Sequence, residues 1–450
     1  MKKKAVIICV AAALTVVLGV SIPAYITYSK VNQWNNLIYP GVKIQNIDVS
    51  GKTKAEAKND IMSKLQNPIA SKKINIKLDS KVYSIDYSKL DAKYDIDTTL
   101  EQALNYGKNS TIWERYKLIK NPVTKNMDLK FSYNSKPLDD LIANIKKDVN
   151  KNPSNAKITK SGSGFTITED IPGRKLNEEA LKKDITSTIN GDIRTDTNVQ
   201  ANAETTKAAV TKEKLQGVNT LIASFDTDYA SISGPERMNN IQLATKAING
   251  TLVMPGDSFS FNDVVGQRTA AKGYQAAPVI IGNKVDSGLG GGICQVSTSL
   301  YNAMLRTGVK ATERSHHTLP SHYVTVGLDA TVDYGNLDYK FKNTLNFPIY
   351  IEGLTQNGHV TFNIYSDSSL TSKTYKVSTE EYETMQPKTT YVDDPTLPAG
   401  TTVVDQNPSV GHKVKVYLET YQGGNLVNKE QIGNDVYNAV DEVIKRGTKK

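Results

Sequence analysis

Hydrophobic and polar positions recur along this chain with the two spacings of regular secondary structure, and together they predict an α+β protein. After Cys294, apolar residues fall three or four positions apart, which predicts an amphipathic helix that Gly308 ends. From Tyr323 to Tyr334, apolar and polar residues alternate instead, and this period of two predicts a strand. The apolar set of that strand is Val324, Val326, Leu328, Ala330 and Val332.

The first half of the chain is predicted to contain two α+β modules, at residues 38–127 and 128–205. Each module combines helical spacing with a short run of alternating residues that is typical of a hairpin. The predicted hairpins lie at residues 73–87 and 156–167. The recurrence of these elements suggests a duplicated module.

The second half divides into an α+β region at residues 220–367 and an all-β region at residues 372–450. Gly-Asn and Asn-Gly pairs at residues 282–283 and 357–358 are typical two-residue hairpin turns within the first region. The second region is rich in threonine, valine and glycine and has the composition of a small all-β module. The sequence therefore predicts a multidomain protein in which only the last module lacks helices.

An uncharged apolar run follows three N-terminal lysines, and it predicts a membrane-spanning helix. Residues 5–28 are long enough to cross about 30 Å of hydrocarbon. The lysines favour a cytoplasmic tail at residues 1–4, with the bulk of the chain outside the cell. Ile22 is bulky where a signal-peptide cleavage site needs a small residue, so an uncleaved single-pass anchor is favoured over a cleaved signal.

The composition of the chain excludes several classes of protein. With 38% hydrophobic and 22% charged residues, the 450-residue chain is typical of folded proteins rather than disordered ones. The net charge of +9 is diffuse and includes the N-terminal lysines, which argues against a nucleic-acid binder. There are only two cysteines, and Cys9 lies in the apolar run. Cys294 is therefore predicted to be a lone thiol in an oxidising compartment, where cysteines normally pair.

Cys294 stands at the predicted start of a helix, directly behind a loop that contains Gly288 and the glycines at 290–292. A helix N-terminus favours the thiolate, and the backbone N–H groups of glycines can approach a ligand closely and hold an oxyanion. The alternative is a buried structural cysteine whose glycines only form a tight turn. The number of glycines and the lack of a second thiol favour a reactive cysteine.

Three of the five histidines cluster downstream of this cysteine, and a cysteine nucleophile needs a base that a polar group orients. The candidate bases are His316, His317 and His322. Asp329 is the candidate orienting group, and Asp333 is the alternative. A zinc site formed by Cys294 and these histidines is the competing interpretation. Adjacent histidines on extended chain point to opposite faces, and there is no CxxC or HExxH pair, so no metal or other cofactor is predicted.

The stretch from about Ser224 to Gly353 resembles a VanW domain, the domain named from vancomycin-resistance clusters. The resemblance rests on three blocks, Gly290-Gly291-Gly292-Ile293-Cys294-Gln295-Val296-Ser297-Thr298, Glu313-Arg314 with His317, and Gly327-Leu328-Asp329-Ala330-Thr331-Val332. Residues 40–205 resemble the peptidoglycan-binding modules often found before VanW domains. The tail resembles the five-glycine surface modules associated with cell-wall sugars.

The resemblance implies a cell-wall protein, and some VanW-domain proteins are L,D-transpeptidases that use a cysteine. By motif position, Cys294 would be the nucleophile, His317 the base and Asp329 the matching aspartate. Arg314 matches the family's arginine and would bind a stem-peptide carboxylate. The residues assigned to substrate binding are Gly291, Gly292, Arg314 and Tyr323.

The resulting hypothesis is a membrane-anchored cysteine L,D-transpeptidase that binds peptidoglycan glycan and stem peptides. It would form 3-3 cross-links between stems through a thioester. A cysteine carboxypeptidase or endopeptidase would use the same thiol with water as the acceptor, and a non-enzymatic wall-binding scaffold would need no thiol chemistry. The residues alone leave these alternatives open, together with the choice among the three histidines, the third stem residue, β-lactam sensitivity and the oligomeric state.

Overall fold

The computed structural model describes residues 3, 8, 19, 21–281 and 284–449, and these fold into two compact units. The first unit extends to Pro153 and includes Pro172–Lys207, and the second contains Ser154–Ile171 and the chain from Ala208 onwards. Most of the anchor predicted at residues 5–28 lies outside the described residues. Within the described ranges, no helix is both long and apolar enough to cross a membrane.

Helices and strands alternate through both units, with strands dominating the end of the chain. The helices, apart from a helical segment at residues 21–32, are α1 (Lys54–Ile61), α2 (Asn67–Ala70), α3 (Ile96–Asn105), α4 (Ile112–Lys120), α5 (Lys136–Val149), α6 (Glu178–Thr188), α7 (Lys212–Gln216), α8 (Pro235–Ile248), α9 (Phe261–Val265) and α10 (Ile293–Leu305). The strands of the first half are β1 (Val42–Ile44), β2 (Ile47–Asp48), β3 (Lys73–Leu78), β4 (Lys81–Asp86), β5 (Lys93–Tyr94), β6 (Lys125–Met127), β7 (Phe131–Ser132), β8 (Ile158–Ser161), β9 (Gly164–Ile167), β10 (Gly173–Leu176), β11 (Thr197–Gln200) and β12 (Ala203–Thr206). Those of the second half are β13 (Thr220–Asp228), β14 (Thr251–Val253), β15 (Ser258–Ser260), β16 (Ala276–Ile281), β17 (Lys284–Leu289), β18 (Ala311–Glu313), β19 (Lys340–Lys342), β20 (Ile349–Gln356), β21 (His359–Ser366), β22 (Lys373–Met385), β23 (Thr389–Pro398), β24 (Thr402–Gln406), β25 (Gly411–Gln422), β26 (Asn425–Tyr437) and β27 (Glu442–Lys449).

The first unit has one hydrophobic core, whereas the sequence predicts two modules at residues 38–127 and 128–205. Strand β11 pairs in parallel with β3, and β3 pairs antiparallel with β4, so a strand from the second predicted module completes a sheet of the first. Ile44 and Ile185, one from each predicted module, are buried in the same core. Residues on both sides of the boundary predicted near residue 127 therefore share this core.

The hairpins predicted at residues 73–87 and 156–167 are confirmed as β3–β4 and β8–β9. The second hairpin belongs to the second unit, although the prediction placed it in a module of the first half. Its Phe165 ring packs edge-to-face against Tyr350 and Tyr365, with centroid separations of 5.1 and 5.2 Å. Aromatic contact with strands β20 and β21 thus decides where this hairpin lies.

The second unit is built on the antiparallel sheet β13-β21-β20-β14, against which helices α8 and α10 pack. The turn predicted at residues 357–358 is confirmed, and both of its residues have positive φ, as a two-residue hairpin turn requires. The turn predicted at residues 282–283 lies outside the described residues. Helix α10 is confirmed, and each of its residues except Cys294 is buried.

The strand predicted from Tyr323 to Tyr334 is wrong, because most of this segment is irregular chain with only isolated bridges. Side chains of α10 pair with its peptide groups in place of a neighbouring strand. Asn302 Nδ2 donates to Leu328 O at 2.7 Å, and Ser297 Oγ donates to Ala330 O at 2.6 Å. The apolar residues at the end of the pattern, Leu328, Ala330 and Val332, are therefore buried beside a helix and not within a sheet.

The C-terminal module, strands β22–β27, forms two three-stranded sheets and confirms the predicted all-β region. It belongs to the same compact unit as residues 220–367. At Gly327, where φ is +90°, an added Cβ would lie 2.9 Å from Val416 and 3.1 Å from Val414 of β25. The module therefore packs closely against the segment that carries Asp329, within an α+β protein that ends in an all-β module.

Candidate active site

Cys294 is the second residue of α10, as the sequence predicts, and the glycine loop before it is tightly packed. Gly292 has a φ of +102°, in the left-handed region that favours glycine. A Cβ at Gly291 would lie 2.6 Å from the carbonyl oxygens of Ala277 and Pro278. These two glycines therefore allow the chain to turn into the helix and present Cys294, whose Sγ lies 3.6 Å from Val332 O.

His317 and Asp329 form the rest of the predicted triad. The Nδ1 atom of His317 lies 2.5 Å from Asp329 Oδ2, and the same oxygen accepts the backbone N–H of His317 at 2.7 Å. The imidazole also hydrogen-bonds the side chain of Cys294. Because Nδ1 is bound by the carboxylate, Nε2 is the nitrogen available to the sulfur. Cysteine, histidine and aspartate thus lie in the order that an activated nucleophile requires.

Asp329 is held by two further residues, one of them from the C-terminal module. The Tyr437 hydroxyl, at the end of β26, donates to Asp329 Oδ1 at 2.5 Å and also accepts the backbone N–H of Gly327. Arg314 donates through Nε to the Asp329 carbonyl oxygen at 2.6 Å and through Nη1 to Asp435 Oδ2 at 2.6 Å. The buried carboxylate therefore has partners on both oxygens, as a buried charge requires.

The ionisable groups of the triad shift one another's pKa values. Burial raises the pKa of the Cys294 thiol, but the hydrogen bond and positive charge of His317 outweigh burial and leave that pKa below its usual value. Burial lowers the pKa of His317, yet the hydrogen bonds with Asp329 and Cys294 raise it to about 9. Burial also raises the pKa of Asp329, but His317, Arg314 and Tyr437 together lower it to about 2. These directions favour a thiolate–imidazolium pair at neutral pH.

An open pocket of about 710 Å³ lies over the Cys294 sulfur. His317 and Gly292 form part of its inner wall, and the exposed side chains of Leu289, Tyr334 and Leu337 form apolar parts of its lining. Two arginines that sequence reasoning missed, Arg237 and Arg268, also line it. The pocket thus combines a nucleophile, apolar surface and positive charge, which suits an anionic ligand with apolar parts.

The predicted substrate-binding residues lie in different places relative to this pocket. Tyr323 lines it, with its ring 6.5 Å from that of His317, and Gly292 lines it beside Cys294. Gly291 lies behind the loop, where its carbonyl oxygen accepts a hydrogen bond from Asn240. Arg314 lies outside the pocket lining and its guanidinium is bound by Asp435, Gly327 and Asp329. Arg314 therefore supports the aspartate rather than offering a free cation to a substrate.

The other histidines of the cluster and Asp333 lie apart from the triad contacts. His316 donates through Nδ1 to the His317 carbonyl oxygen at 2.6 Å, and its ring packs on Tyr437. His322 is exposed. Asp333 lies in a turn where Asn336 donates to its carboxylate. Of the residues that the structure describes, no three histidine, cysteine or acidic side chains form a group that could hold a metal ion.

Four residues at or near the site carry weak signals in the sequence or none. Arg237 precedes the buried Ile241 by four positions, so an arginine on an apolar helix face is a signal that could have been used. Arg268 lies in a short loop with no local motif. Asp435 and Tyr437 come from the predicted all-β module, and only the tertiary fold brings them to Arg314 and Asp329.

Comparison with protein families assigns each of these regions. A family model described as VanW like protein matches residues 236–365, which include the triad. A model of a peptidoglycan binding domain matches residues 83–198, and a model of the G5 domain matches residues 376–449. The peptidoglycan match crosses the boundary predicted near residue 127, in agreement with the single core of the first unit.

Two bacterial proteins are similar in sequence. The chain is 34% identical over 236 residues to the uncharacterized protein YoaR of Bacillus subtilis, a match that covers 52% of this chain and 76% of that protein. It is 30% identical over 125 residues to the vancomycin B-type resistance protein VanW of Enterococcus faecalis, covering 27% of this chain and 46% of that protein. A solved G5 domain of IgA1 protease shares 23% identity over 17% of this chain and 92% of its own, with a TM-score of 0.15.

Proposed function

The chain belongs to the VanW family of cell-wall proteins, and we propose that it remodels peptidoglycan as a cysteine L,D-transpeptidase. The observation that carries this proposal is the hydrogen-bonded series of Cys294, His317 and Asp329 beside an open pocket. A thiolate, a base and an orienting carboxylate are the groups that acyl transfer through a covalent intermediate requires.

In the first step, the Cys294 thiolate attacks the carbonyl carbon of the third stem residue, and a carbon–sulfur bond and a tetrahedral oxyanion form. The oxyanion collapses, His317 donates its Nε2 proton to the departing amine, and the carbon–nitrogen bond breaks. D-alanine leaves, and the shortened stem is held as a thioester. Asp329 keeps the imidazole oriented through Nδ1 and stabilises its positive charge until the proton is transferred.

In the second step, neutral His317 accepts a proton from the side-chain amine of a neighbouring stem as that amine attacks the thioester. A carbon–nitrogen bond forms, the carbon–sulfur bond breaks, and Cys294 leaves as a thiolate beside the recharged imidazole. His317 and Asp329 are 6% and 1% exposed, so little water reaches the base. A thioester reacts readily with an amine, and this shielding favours transfer over hydrolysis.

The flanking regions would hold the catalytic domain against its substrate. Residues 83–198 match a peptidoglycan binding domain and residues 376–449 match a G5 domain, so both are proposed to contact wall material. The apolar run at residues 5–28 is proposed to anchor the chain in the membrane with its bulk outside the cell. Neighbouring stems would then be concentrated near the thiol.

Incubation of the purified chain with a disaccharide tetrapeptide tests the proposal, with products identified by mass spectrometry. We expect a cross-linked dimer and one released D-alanine per cross-link, and neither product from the Cys294→Ala variant. Release of D-alanine without dimer would replace the transpeptidase by a carboxypeptidase with water as acceptor. If the parent chain and Cys294→Ala give identical product profiles, the enzyme hypothesis fails and a wall-binding scaffold remains.

A further inference from the structure

Two positively charged side chains line the Cys294 pocket without forming an ion pair with a carboxylate of the described residues. Arg237 is in the first turn of α8, and Arg268 is in the loop that follows α9. Burial lowers the pKa of both guanidinium groups, and the charge of Cys294 opposes that effect in each case. A half-buried cation without a counter-ion is unfavourable unless a ligand provides one.

One terminal nitrogen of the Arg268 guanidinium has a hydrogen-bond acceptor, and the other has none among the described residues. Its Nη1 donates to Asn262 Oδ1 at 2.6 Å, and its guanidinium lies over the rings of Phe261 and Tyr334, 5.5 and 5.9 Å from their centroids. Its Nη2 is buried and, among the described residues, has no hydrogen-bond acceptor. A buried donor without a partner costs about 1–3 kcal/mol, so the site would gain from an acceptor supplied by a ligand.

Arg237 lines the same pocket from helix α8. Its Nη1 donates to Ser233 Oγ at 2.5 Å, and its Cγ lies 2.8 Å from the position of a Cβ on Gly292. The aliphatic part of Arg237 therefore packs against the glycine loop directly in front of Cys294.

The nearby acidic groups that act on Arg268 are Asp333 and Asp338, and Asp338 is already bound by the backbone of Asn262 and the hydroxyl of Ser260.

We propose that Arg268 and Arg237 bind the terminal carboxylate of the donor stem peptide, so that the site selects peptides ending one residue beyond the bond that Cys294 attacks. This inference rests on the proposed acyl transfer and adds which end of the substrate is recognised. The carbonyl that Cys294 attacks and the terminal carboxylate are separated by one residue, a span of about 4 Å. The thiol can therefore attack the carbonyl while the arginines of the same pocket bind the carboxylate. A guanidinium matches a carboxylate with two parallel hydrogen bonds.

The proposal moves the carboxylate-binding role away from Arg314, to which the sequence resemblance gave it. Arg314 donates to Asp435, Asp329 and Gly327, whereas Arg268 lines the pocket and its buried Nη2 has no acceptor among the described residues. Because the arginines would bind a free C-terminal carboxylate, we also expect the enzyme to act only at the end of a stem peptide. A tetrapeptide amide, which lacks the charge, and a pentapeptide, whose carboxylate lies one residue further away, are both expected to be poor donors.

A pair of small thiol reagents measures this subsite without requiring catalysis. The full chain with Cys9→Ala is alkylated by iodoacetate, which is anionic, and by iodoacetamide, which is neutral, and the ratio of the two rates is compared with that of free cysteine. We expect the ratio at Cys294 to be about tenfold higher, since a carboxylate held by a guanidinium gains about 1.4 kcal/mol. The ratio is unaffected by changes in the thiol pKa, because both reagents react with the thiolate.

Variants then assign the effect to the two arginines. Arg268→Gln and Arg237→Gln are each expected to lower the ratio several-fold, and Arg268→Lys to retain part of it. Arg306→Gln is the matched control, because Arg306 is also half-buried but donates to Asn302 O away from the pocket. The iodoacetamide rate of each variant confirms that the thiol site is still folded.

Binding of the substrate itself completes the test. In the Cys294→Ala chain, calorimetry is expected to show the disaccharide tetrapeptide binding about tenfold more tightly than its C-terminal amide, with the difference lost in Arg268→Gln. A reagent ratio equal to that of free cysteine, together with equal binding of acid and amide, overturns the subsite even if D-alanine is still released. A high ratio without any D-alanine release supports the subsite and instead refutes the transpeptidase.

Discussion

The His317→Ala substitution removes the group that lowers the pKa of Cys294, and we expect the thiol to become far less reactive. In the folded chain, burial raises this thiol pKa, and the hydrogen bond and charge of His317 reverse the effect. Without the imidazole, burial is opposed only by the backbone hydrogen bond with Val332 and by the charge of Arg268. The pKa of Cys294 is then expected to lie above its ordinary value, so less thiolate is present at neutral pH.

The size of the expected change in the Cys294 pKa follows from the raised pKa of His317. The pKa of His317 is raised from 6.5 to about 9, which at about 1.4 kcal/mol per pKa unit corresponds to about 3 kcal/mol in favour of the imidazolium. Cys294 and Asp329 share this stabilisation. If the thiolate contributes about 1.4 kcal/mol of it, the pKa of Cys294 changes by about one unit, and alkylation at pH 7 slows about tenfold.

The assay follows alkylation of Cys294 by iodoacetamide between about pH 5 and pH 10, in a chain where Cys9→Ala leaves one thiol. For the parent, we expect the rate to level off below the ordinary thiol pKa, and for His317→Ala above it. His322→Ala is the control, since His322 is an exposed member of the same cluster. Coincident pH profiles for the parent and a folded His317→Ala variant would refute the coupling between the two residues.

Three further predictions concern stability. Tyr437→Phe removes a hydrogen bond to the Asp329 carboxylate, and we expect urea denaturation to show a loss of about 1.5–3 kcal/mol. Gly291→Ala places a Cβ 2.6 Å from backbone atoms, so the unfolding free energy should fall by about 1–3 kcal/mol or more. The free energy of unfolding should fall at both acidic and alkaline pH. The depressed pKa of Asp329 stabilises the fold above pH 3.8, an effect of about 2 kcal/mol that is lost as the pH falls to about 2. The raised pKa of His317 stabilises it below pH 6.5, an effect of about 3 kcal/mol that is lost as the pH rises through about 9.

Each of these predictions has a matched comparison within the chain. Tyr382→Phe removes an exposed hydrogen bond to Asn434, and a loss equal to that of Tyr437→Phe would contradict the importance of the buried contact. Gly164→Ala meets no atom within 4 Å, so equal destabilisation by both glycine variants would argue against steric overlap. Asp329→Asn should flatten the acid side of the pH profile, and an unchanged profile would mean that other carboxylates cause it.

The sequence by itself determined the local elements near Cys294. The helical spacing after Cys294 and the closing Gly308 predict α10 correctly, because amphipathic spacing and a glycine stop act within a few turns. The same holds for the hairpins at residues 73–87 and 156–167 and for the turn at residues 357–358. The triad residues could also be proposed from residue chemistry and motif order before any distance was known.

The alternation of apolar and polar residues led to a wrong prediction of strand pairing. In the segment from Tyr323 to Tyr334, the apolar residues Leu328, Ala330 and Val332 are buried, but buried side chains of α10 supply the hydrogen-bond partners. Hydrophobic period reports which side of a segment is buried, and it does not report what pairs with the peptide groups. Two predicted modules in the first half likewise proved to share a core, because the pairing of β11 with β3 joins strands far apart in the chain.

Only the tertiary structure decided how the site is charged. Tyr437 lies 108 residues from Asp329 along the chain, and Asp435 lies 121 residues from Arg314, yet each pair is in direct contact. These contacts confine Arg314 to supporting the aspartate, whereas Arg268 and Arg237 line the pocket. Periodicity and capping act over a few residues, whereas burial and charge pairing depend on which distant segments pack together. The candidate nucleophile could therefore be named from the sequence, whereas its pKa and its counter-charges depend on the tertiary fold.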